Sequence, residues 1–245
     1  MRDRAGDPGG AVRRGRPRAR LRHVAEAPRR GPRRAPPRLL TRPPRAVAAA
    51  SRGPHADRAT PPVSRDGAAE EDRAVDVALR PLARSDLALL GEWLREPLVH
   101  EWWHDDPAPE ALERQYGASI DGRDRTALRI GELGGEAVGF VQWYPLADEP
   151  EYVAELVPFL AVPEGAWSLD HLVGPARHRG HGVGTALVRA ALAAIGPAPI
   201  VVPVHADNPA SAAVLRANGF AVVAEADLEP DNPAHSRRHL VLARP

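Results

Sequence analysis

The stretch from Trp167 to Ala194, WSLDHLVGPARHRGHGVGTALVRAALAA, limits the possible folds more than any other. It reads as a short apolar strand (Leu169 to Val173), a Gly-Pro loop, a glycine-rich turn and then a helix. Arg179-Gly180-His181-Gly182-Val183-Gly184 lies where strand gives way to helix. A helix start exposes unpaired backbone N–H groups and the positive end of the macrodipole, which together bind phosphate. Glycines at alternate positions keep side chains clear, so that a pyrophosphate reaches the backbone. Asp170, on the strand before the turn, sets a carboxylate near whatever the turn holds. The Arg-x-x-Gly-x-Gly spacing differs from the dinucleotide fingerprint, and no Gly-Lys-Ser/Thr follows it.

Charge divides the 245 residues into two parts. Residues 1–76 hold 19 arginines against 9 acidic residues, which leaves 14 against 23 in residues 77–245. A basic arm therefore precedes an acidic body, and lysine is absent throughout, as expected of a GC-rich genome. The arm mixes Arg, Pro, Ala and Gly without periodicity, so it has little apolar surface to offset ordering and is expected to be disordered. It reads either as a tether to nucleic acid or another acidic surface, or as a misassigned upstream start. The chain has no cysteine, which removes disulfides, thiolate catalysis and Cys-type zinc sites. No apolar run approaches ~18 residues and no secretory signal is recognisable, so a cytoplasmic setting without membrane contact is expected.

The body, residues 77–245, begins with an edge strand, Val77 to Leu82, ended by proline. Ser85 is placed to N-cap a helix whose apolar stripe is Leu87, Leu90, Trp93 and Leu94, with Pro97 ending it. Val99 to Asp106 reads as a loop rich in aromatics and acids, and a second helix spans Pro109 to about Ser119. ALRIGEL (Ala127 to Leu133) and EAVGFVQW (Glu136 to Trp143) form a hairpin across Gly134-Gly135. Asp148 to Glu164 is an acidic connection. Beyond the central strand–turn–helix come a strand (Ile200 to His205) and a helix (Asn208 to Asn218) with Gly219 at its C-cap. Two closing strands, Phe220 to Ala224 and Arg238 to Leu242, follow. This order predicts an α+β domain with a mixed, mostly antiparallel sheet flanked by helices.

The same order, with the glycine turn and the Asn208…Asn218-Gly219-Phe220 block, resembles the GNAT acetyltransferase superfamily over roughly residues 77–243. Within it the sequence is most similar to the aminoglycoside 6'-N-acetyltransferase group. The residues that carry the likeness are Glu92-Trp93-Leu94, Glu101-Trp102-Trp103 and Gly139-Phe140-Val141-Gln142-x-Tyr144. It continues in Leu169-Asp170-His171-Leu172 and Gly182-Val183-Gly184-Thr185-Ala186-Leu187-Val188-Arg189.

The resemblance implies acetyl-CoA as co-substrate and no metal. Its pyrophosphate would lie on the backbone amides of Arg179, Gly180, His181, Gly182, Val183 and Gly184, assisted by the side chains of Arg179 and Thr185. It also implies that the Asp170 strand splays from the Ile200–His205 strand, with the pantetheine arm in the gap beside Leu172 and Val173. Asn208 matches a position that contacts CoA. The acceptor would be a primary amine of an aminoglycoside, attacked directly, and the biological role antibiotic resistance.

An alkylamine with a pKa of roughly 10 is almost wholly protonated at neutral pH, so a base has to take a proton. Asp170 matches the carboxylate that the group uses there; helix-dipole or turn support is its alternative. His171 points to the opposite face of the strand and reads as a structural or surface histidine, with a relay role left open. Amine-binding candidates are Glu101, Asp105 and Asp106 near Trp102 and Trp103, and Glu151 and Glu155 on the acidic connection; each otherwise reads as a solvated surface charge. The two tryptophans would stack on a sugar face, with one of them in the core, and Tyr144 completes the expected acceptor site. Two departures stand out. Leu215 occupies the place of a tyrosine that protonates the leaving thiolate, and Pro203 that of a further aspartate. Other readings are acylation of another amine (a siderophore precursor or a protein N-terminus) and a catalytically silent acyl-CoA-binding module.

Overall fold

The computed structural model describes residues 75–245; the basic arm up to residue 74, with the disorder and start-site readings attached to it, lies outside them. The elements in chain order are β1 (Ala78–Pro81), α1 (Leu87–Arg95), α2 (Pro97–Trp103), α3 (Pro109–Ile120), β2 (Ala127–Leu133) and β3 (Glu136–Pro145). They continue with α4 (Pro150–Leu156), β4 (Trp167–Val173), α5 (Val183–Ile195), β5 (Ile200–His205), α6 (Pro209–Ala217), β6 (Ala221–Asp227) and β7 (Arg238–Arg244). The strands form one sheet in the order β1-β2-β3-β4-β5-β7-β6. Each neighbouring pair is antiparallel except β4–β5.

The parallel pair decides the architecture. β4 and β5 share a single registered pair, Trp167 with Ile200, and a hydrogen bond from Trp167 N–H to the Pro199 carbonyl at 2.9 Å. Beyond that point the strands part. Backbone direction alternates along a strand, so Pro203, four residues after Pro199, also directs its backbone toward β4. A proline there removes a donor that the splay would leave without a strand partner.

Side-chain alternation sends the sheet's residues to two helical layers. Val141, Trp143 and Leu169 pack under α5 and α6 with Leu187, Leu215 and Leu242. Phe140 and Leu172, an odd number of residues from Val141 and Leu169, pack on the other face with Leu90, Leu94, Leu112 and Tyr116 of α1 and α3. β5 is buried along its whole length, which explains its unbroken apolar run IVVPVH. A third cluster joins Tyr144, Leu146, Tyr152 and Leu156 to Leu228 and Val241 beneath α4 and the β6–β7 connection.

Several expectations change. Ser85 does not cap α1: the N-cap is Asp86, and no side-chain cap bond is made. The Asp86 carboxylate instead accepts from the Ala83 N–H at 2.8 Å and pairs with Arg80. Pro97 opens a helix as well as closing one, because its fixed φ suits a first helical position. The expected loop at Val99–Asp106 is therefore α2 as far as Trp103. The acidic connection contains α4, and the last two strands run further than expected, to Asp227 and Arg244. Gly219 takes φ 85° just after α6, as a C-terminal glycine does.

Candidate active site

A cavity of about 700 Å³ runs from the start of α5, through the β4–β5 gap, to the space among α2, α3, α4 and the β6–β7 connection. At its first end the glycine turn is built as open backbone. Gly180 and Gly182 take φ of 78° and 79°, and Gly182 is the N-cap of the thirteen-residue α5. Among the described residues, a Cβ on Gly180 would meet nothing within 4 Å, and one on Gly182 would come 3.6 Å from Val75 Cγ2. Gly184 is glycine for a different reason. A Cβ there would come 3.2 Å from Val214 Cγ2 on α6, closing the approach of the two helices. Arg179 fastens the turn: its guanidinium donates to the Val173 and Gly174 carbonyls at 3.1 and 2.5 Å and lies 3.6 Å from Glu96. Across the gap the Asn208 side chain accepts the Ser211 N–H at 3.1 Å and so caps α6.

Midway along the cavity, Asp170 and His171 occupy successive β4 positions on opposite faces, and the parting of the strands opens both to the cavity. Gln142, the registered partner of Asp170 on β3, donates to its Oδ2 at 3.0 Å. Burial pushes the His171 imidazole down to about 4, against an opposing pull from Asp170, so the ring is neutral at pH 7. His171 is half-buried and lines the cavity rather than the outer surface.

The far end is made of side chains. Asp105, 3% exposed, accepts at Oδ2 from Trp103 Nε1 (2.7 Å), Gln115 Nε2 (2.8 Å) and Tyr116 Oη (2.9 Å). Burial, and to a smaller extent the nearby charge of Asp231, push its carboxyl up to about 6 despite these donors. Burial, with the charges of Asp105 and Asp170, holds the Tyr116 phenol well above its ordinary value. Trp102 faces the β6–β7 connection, with ring centroids 4.6 Å from His235 and 5.4 Å from His205. His205 Nδ1 accepts the Asp207 N–H, which leaves Nε2–H to donate to the Ser236 carbonyl at 2.8 Å. Trp103 turns inward, edge-on to Phe140 at 5.7 Å. One tryptophan is thus packed toward the core and the other stands at the mouth.

Of the expected residues, Leu172, Val173, Arg179, Gly180, Gly182, Gly184, Thr185 and Asn208 line the end at the start of α5, and Trp102, Trp103, Asp105, Tyr144, Glu155 and Asp170 the middle and far end. His181 and Val183 do not: His181 faces solvent and Val183 is buried against the sheet. Glu101 lies outside the lining, exposed and 3.8 Å from His235. Asp106 spends its carboxylate on the Ala108 N–H, and Glu151 is exposed in the first turn of α4. Leu215 is fully buried under α5 and does not reach the cavity, whereas Pro203 lines it. Sequence reading missed Tyr116, Gln115, Glu149, Glu229, Asp231, His235 and His239, all in the lining. Their segments lie 30 or more residues from the glycine turn and carry no motif of their own.

Residues 83–228 match the family model described as an acetyltransferase (GNAT) domain. The chain belongs to the GNAT acetyltransferases. Similar proteins include the aminoglycoside N(6')-acetyltransferases type 1 of Klebsiella pneumoniae and Serratia marcescens, each 30% identical over 146 residues, or 57% of this chain and 70% of the relative. Among solved structures, the aminoglycoside acetyltransferase AAC(6')-Ib in complex with coenzyme A aligns with a TM-score of 0.56 at 24% identity, covering 69% of this chain and 94% of that one. Its complex with coenzyme A and kanamycin aligns with the same TM-score at 23% identity, again over 69% and 94%. The splayed parallel pair and the glycine turn are thus features of a GNAT acetyltransferase. Among its described residues, no helix is long and apolar enough to cross a membrane, and no group of three or more His, Asp or Glu is arranged to hold a metal.

Proposed function

We propose that this acetyltransferase transfers the acetyl group of acetyl-CoA directly to a primary amine of a cationic small molecule, an aminoglycoside, at the 6'-amine. The single observation that supports this best is the continuity of the cavity. Open backbone at a helix start, an aspartate at mid-length and a carboxylate-lined far end lie along one passage.

In this reading the amides from Gly180 to Gly184 hold the pyrophosphate at the start of α5, where the helix dipole favours negative charge; the expected Arg179 amide does not, because its N–H donates to the Ala176 carbonyl at 3.1 Å. The Arg179 side chain acts by fastening the turn, and Thr185 and Asn208 flank the CoA. The gap between β4 and β5, beside Leu172 and Val173, takes the pantetheine arm. Asp170 receives the proton of the attacking amine as the new C–N bond forms and the C–S bond breaks. Gln142 holds the carboxylate toward the reacting centre. No tyrosine on α6 reaches the cavity, so the departing thiolate takes its proton from water.

The acceptor binds at Trp102, Tyr144 and Glu155, joined by Glu149, Glu229 and Asp231. Carboxylates of the acidic body raise the local concentration of a polycation, and Trp102 offers a face for a sugar ring. An acetyl-CoA thiol-release screen against aminoglycosides, polyamines and peptide N-termini tests the reading. Release with kanamycin-type acceptors and none with peptides is expected. Transfer to peptide N-termini alone would replace the acceptor, and CoA binding without transfer to any amine would replace the activity.

A further inference from the structure

Two nitrogens of the Arg179 guanidinium are committed inside the fold. Nε donates to the Val173 carbonyl at 3.1 Å and Nη2 to the Gly174 carbonyl at 2.5 Å, and Nη2 also lies 3.6 Å from the Glu96 carboxylate. A planar, forked cation can hold two carbonyls and a carboxylate at once, which a single-point ammonium cannot. The direction in which Arg179 leaves the turn therefore depends on what fixes those three acceptors.

Val173 ends β4 in register with Gly139 on β3. Gly174, one residue beyond the strand, donates its N–H to the Val138 carbonyl at 3.1 Å. Its other side lies on the indole of Trp93: a Cβ on Gly174 would come 2.3 Å from Cδ2 and Cε2 of that ring. Carbon atoms in contact sit roughly 3.5–4.0 Å apart, so the position admits glycine alone. Trp93 is 5% exposed and belongs to the core cluster with Leu90, Leu94 and Leu172, which makes the ring a firm bed. Glu96 donates its N–H to the Trp93 carbonyl at 3.1 Å, so the end of α1 presents ring and carboxylate to the same loop. Neither Trp93 nor Glu96 lines the cavity.

We propose that Trp93 is a positioning residue for CoA. Its ring fixes the Gly174 carbonyl; that carbonyl, with Val173 and Glu96, fixes the Arg179 guanidinium; and Arg179 sets the glycine turn that receives the pyrophosphate. This rests on the reading of that turn as the pyrophosphate site. The first Glu-Trp segment then serves the co-substrate without touching it, whereas Trp102 of the second lines the cavity.

A core tryptophan with no such role, or an arginine that acts by its charge on phosphate, would behave differently. Lysine at position 179 keeps the charge and loses the fork, so it suffices for a phosphate contact and fails for a clamp. Changes at Gly174 and Arg179 multiply if the two act separately, and do not if one acts through the other.

The test is calorimetric titration of CoA into wild type, Gly174→Ala, Arg179→Lys and the double variant, beside thermal melts of the free proteins. Gly174→Ala and Arg179→Lys should each weaken CoA about tenfold or more, and the double variant no more than the worse of the two. Wild-type affinity in either single variant, or losses that multiply in the double one, overturns the proposal. So does a lowered melting temperature with CoA affinity unchanged. Should Gly174→Ala fail to fold, Trp93→Phe, which trims the bed under Gly174, takes its place in the cycle with the same criteria. Gly182→Asp separates this proposal from the reading it rests on. CoA weakened there but not in the other variants removes only the role of Trp93; CoA affinity unchanged in Gly182→Asp removes the turn from the CoA site and the proposal with it.

Discussion

The two ends of the cavity are built by different means. The end proposed for CoA uses main chain from one contiguous stretch: a strand end, a glycine turn and the first turn of α5, with the Arg179 side chain serving to fasten it. The end proposed for the acceptor uses side chains from α2, α3, α4 and the β6–β7 connection, held by hydrogen bonds such as those converging on Asp105. Backbone recognition tolerates sequence change as long as glycine and helix geometry survive. Side-chain recognition changes with each substitution, so on the proposed assignment the two ends differ in how much sequence change they tolerate.

The largest expected effect strikes the donor end alone. Gly182→Asp places a negative charge at the N-cap of α5, on a backbone of φ 79° that disfavours a side chain. CoA affinity measured by calorimetry should fall by about 10²-fold or more. Unchanged affinity would remove the glycine turn from the CoA site and end the comparison.

Asp170→Asn lies where the two ends meet. Acetylation should slow by about 10²-fold or more while CoA binds as before. Wild-type turnover would reduce Asp170 to a carboxylate that merely pairs with Gln142.

A third change sharpens the boundary between site and core. Leu215→Tyr installs the phenol that the resemblance implies at this position, but Leu215 is fully buried among the residues under α5 and α6. Overpacking should cost about 1–3 kcal/mol in denaturant unfolding, without a faster turnover. A tolerated phenol that raised turnover would show that α6 does reach the reacting sulfur.

The smallest effect is a pH dependence. The folded state holds His171 near 4 against an ordinary 6.5, so on acidification the unfolded chain takes up its proton first. This group therefore withdraws stability as pH falls from about 6.5 to about 4. Melting temperatures of His171→Gln should depend less steeply on pH in that interval. An unchanged slope would mean that the ring titrates as it does in water.

These differences also explain what could be read in advance. The strand, glycine turn and helix around residues 167–194 were legible because local physics is enough there: apolar alternation, a helix start and positive-φ glycines are all written in consecutive residues. The paired Glu-Trp segments carried the family likeness, yet their roles differ. Trp93 packs so closely that a Cβ on Gly174 would come within 2.3 Å of its ring, while Trp102 faces the cavity. α2 is not legible as a helix because Pro97 signals a helix end and a helix start alike. Asp105 reads as an amine-binding candidate or as a solvated surface acid, and its burial is not legible because it depends on α3, ten residues on, turning Gln115 and Tyr116 back toward it. His235 meets Trp102, and Asp231 and His239 reach the cavity lining, only through the pairing of β6 with β7 at the far side of the sheet, which no local pattern encodes.

Initial-velocity kinetics of thiol release, with acetyl-CoA varied at several fixed kanamycin concentrations, test most directly that donor and acceptor occupy one passage together. Direct transfer in a ternary complex predicts release with intersecting double-reciprocal lines. Parallel lines, or CoA binding with no release at any kanamycin concentration, would contradict it.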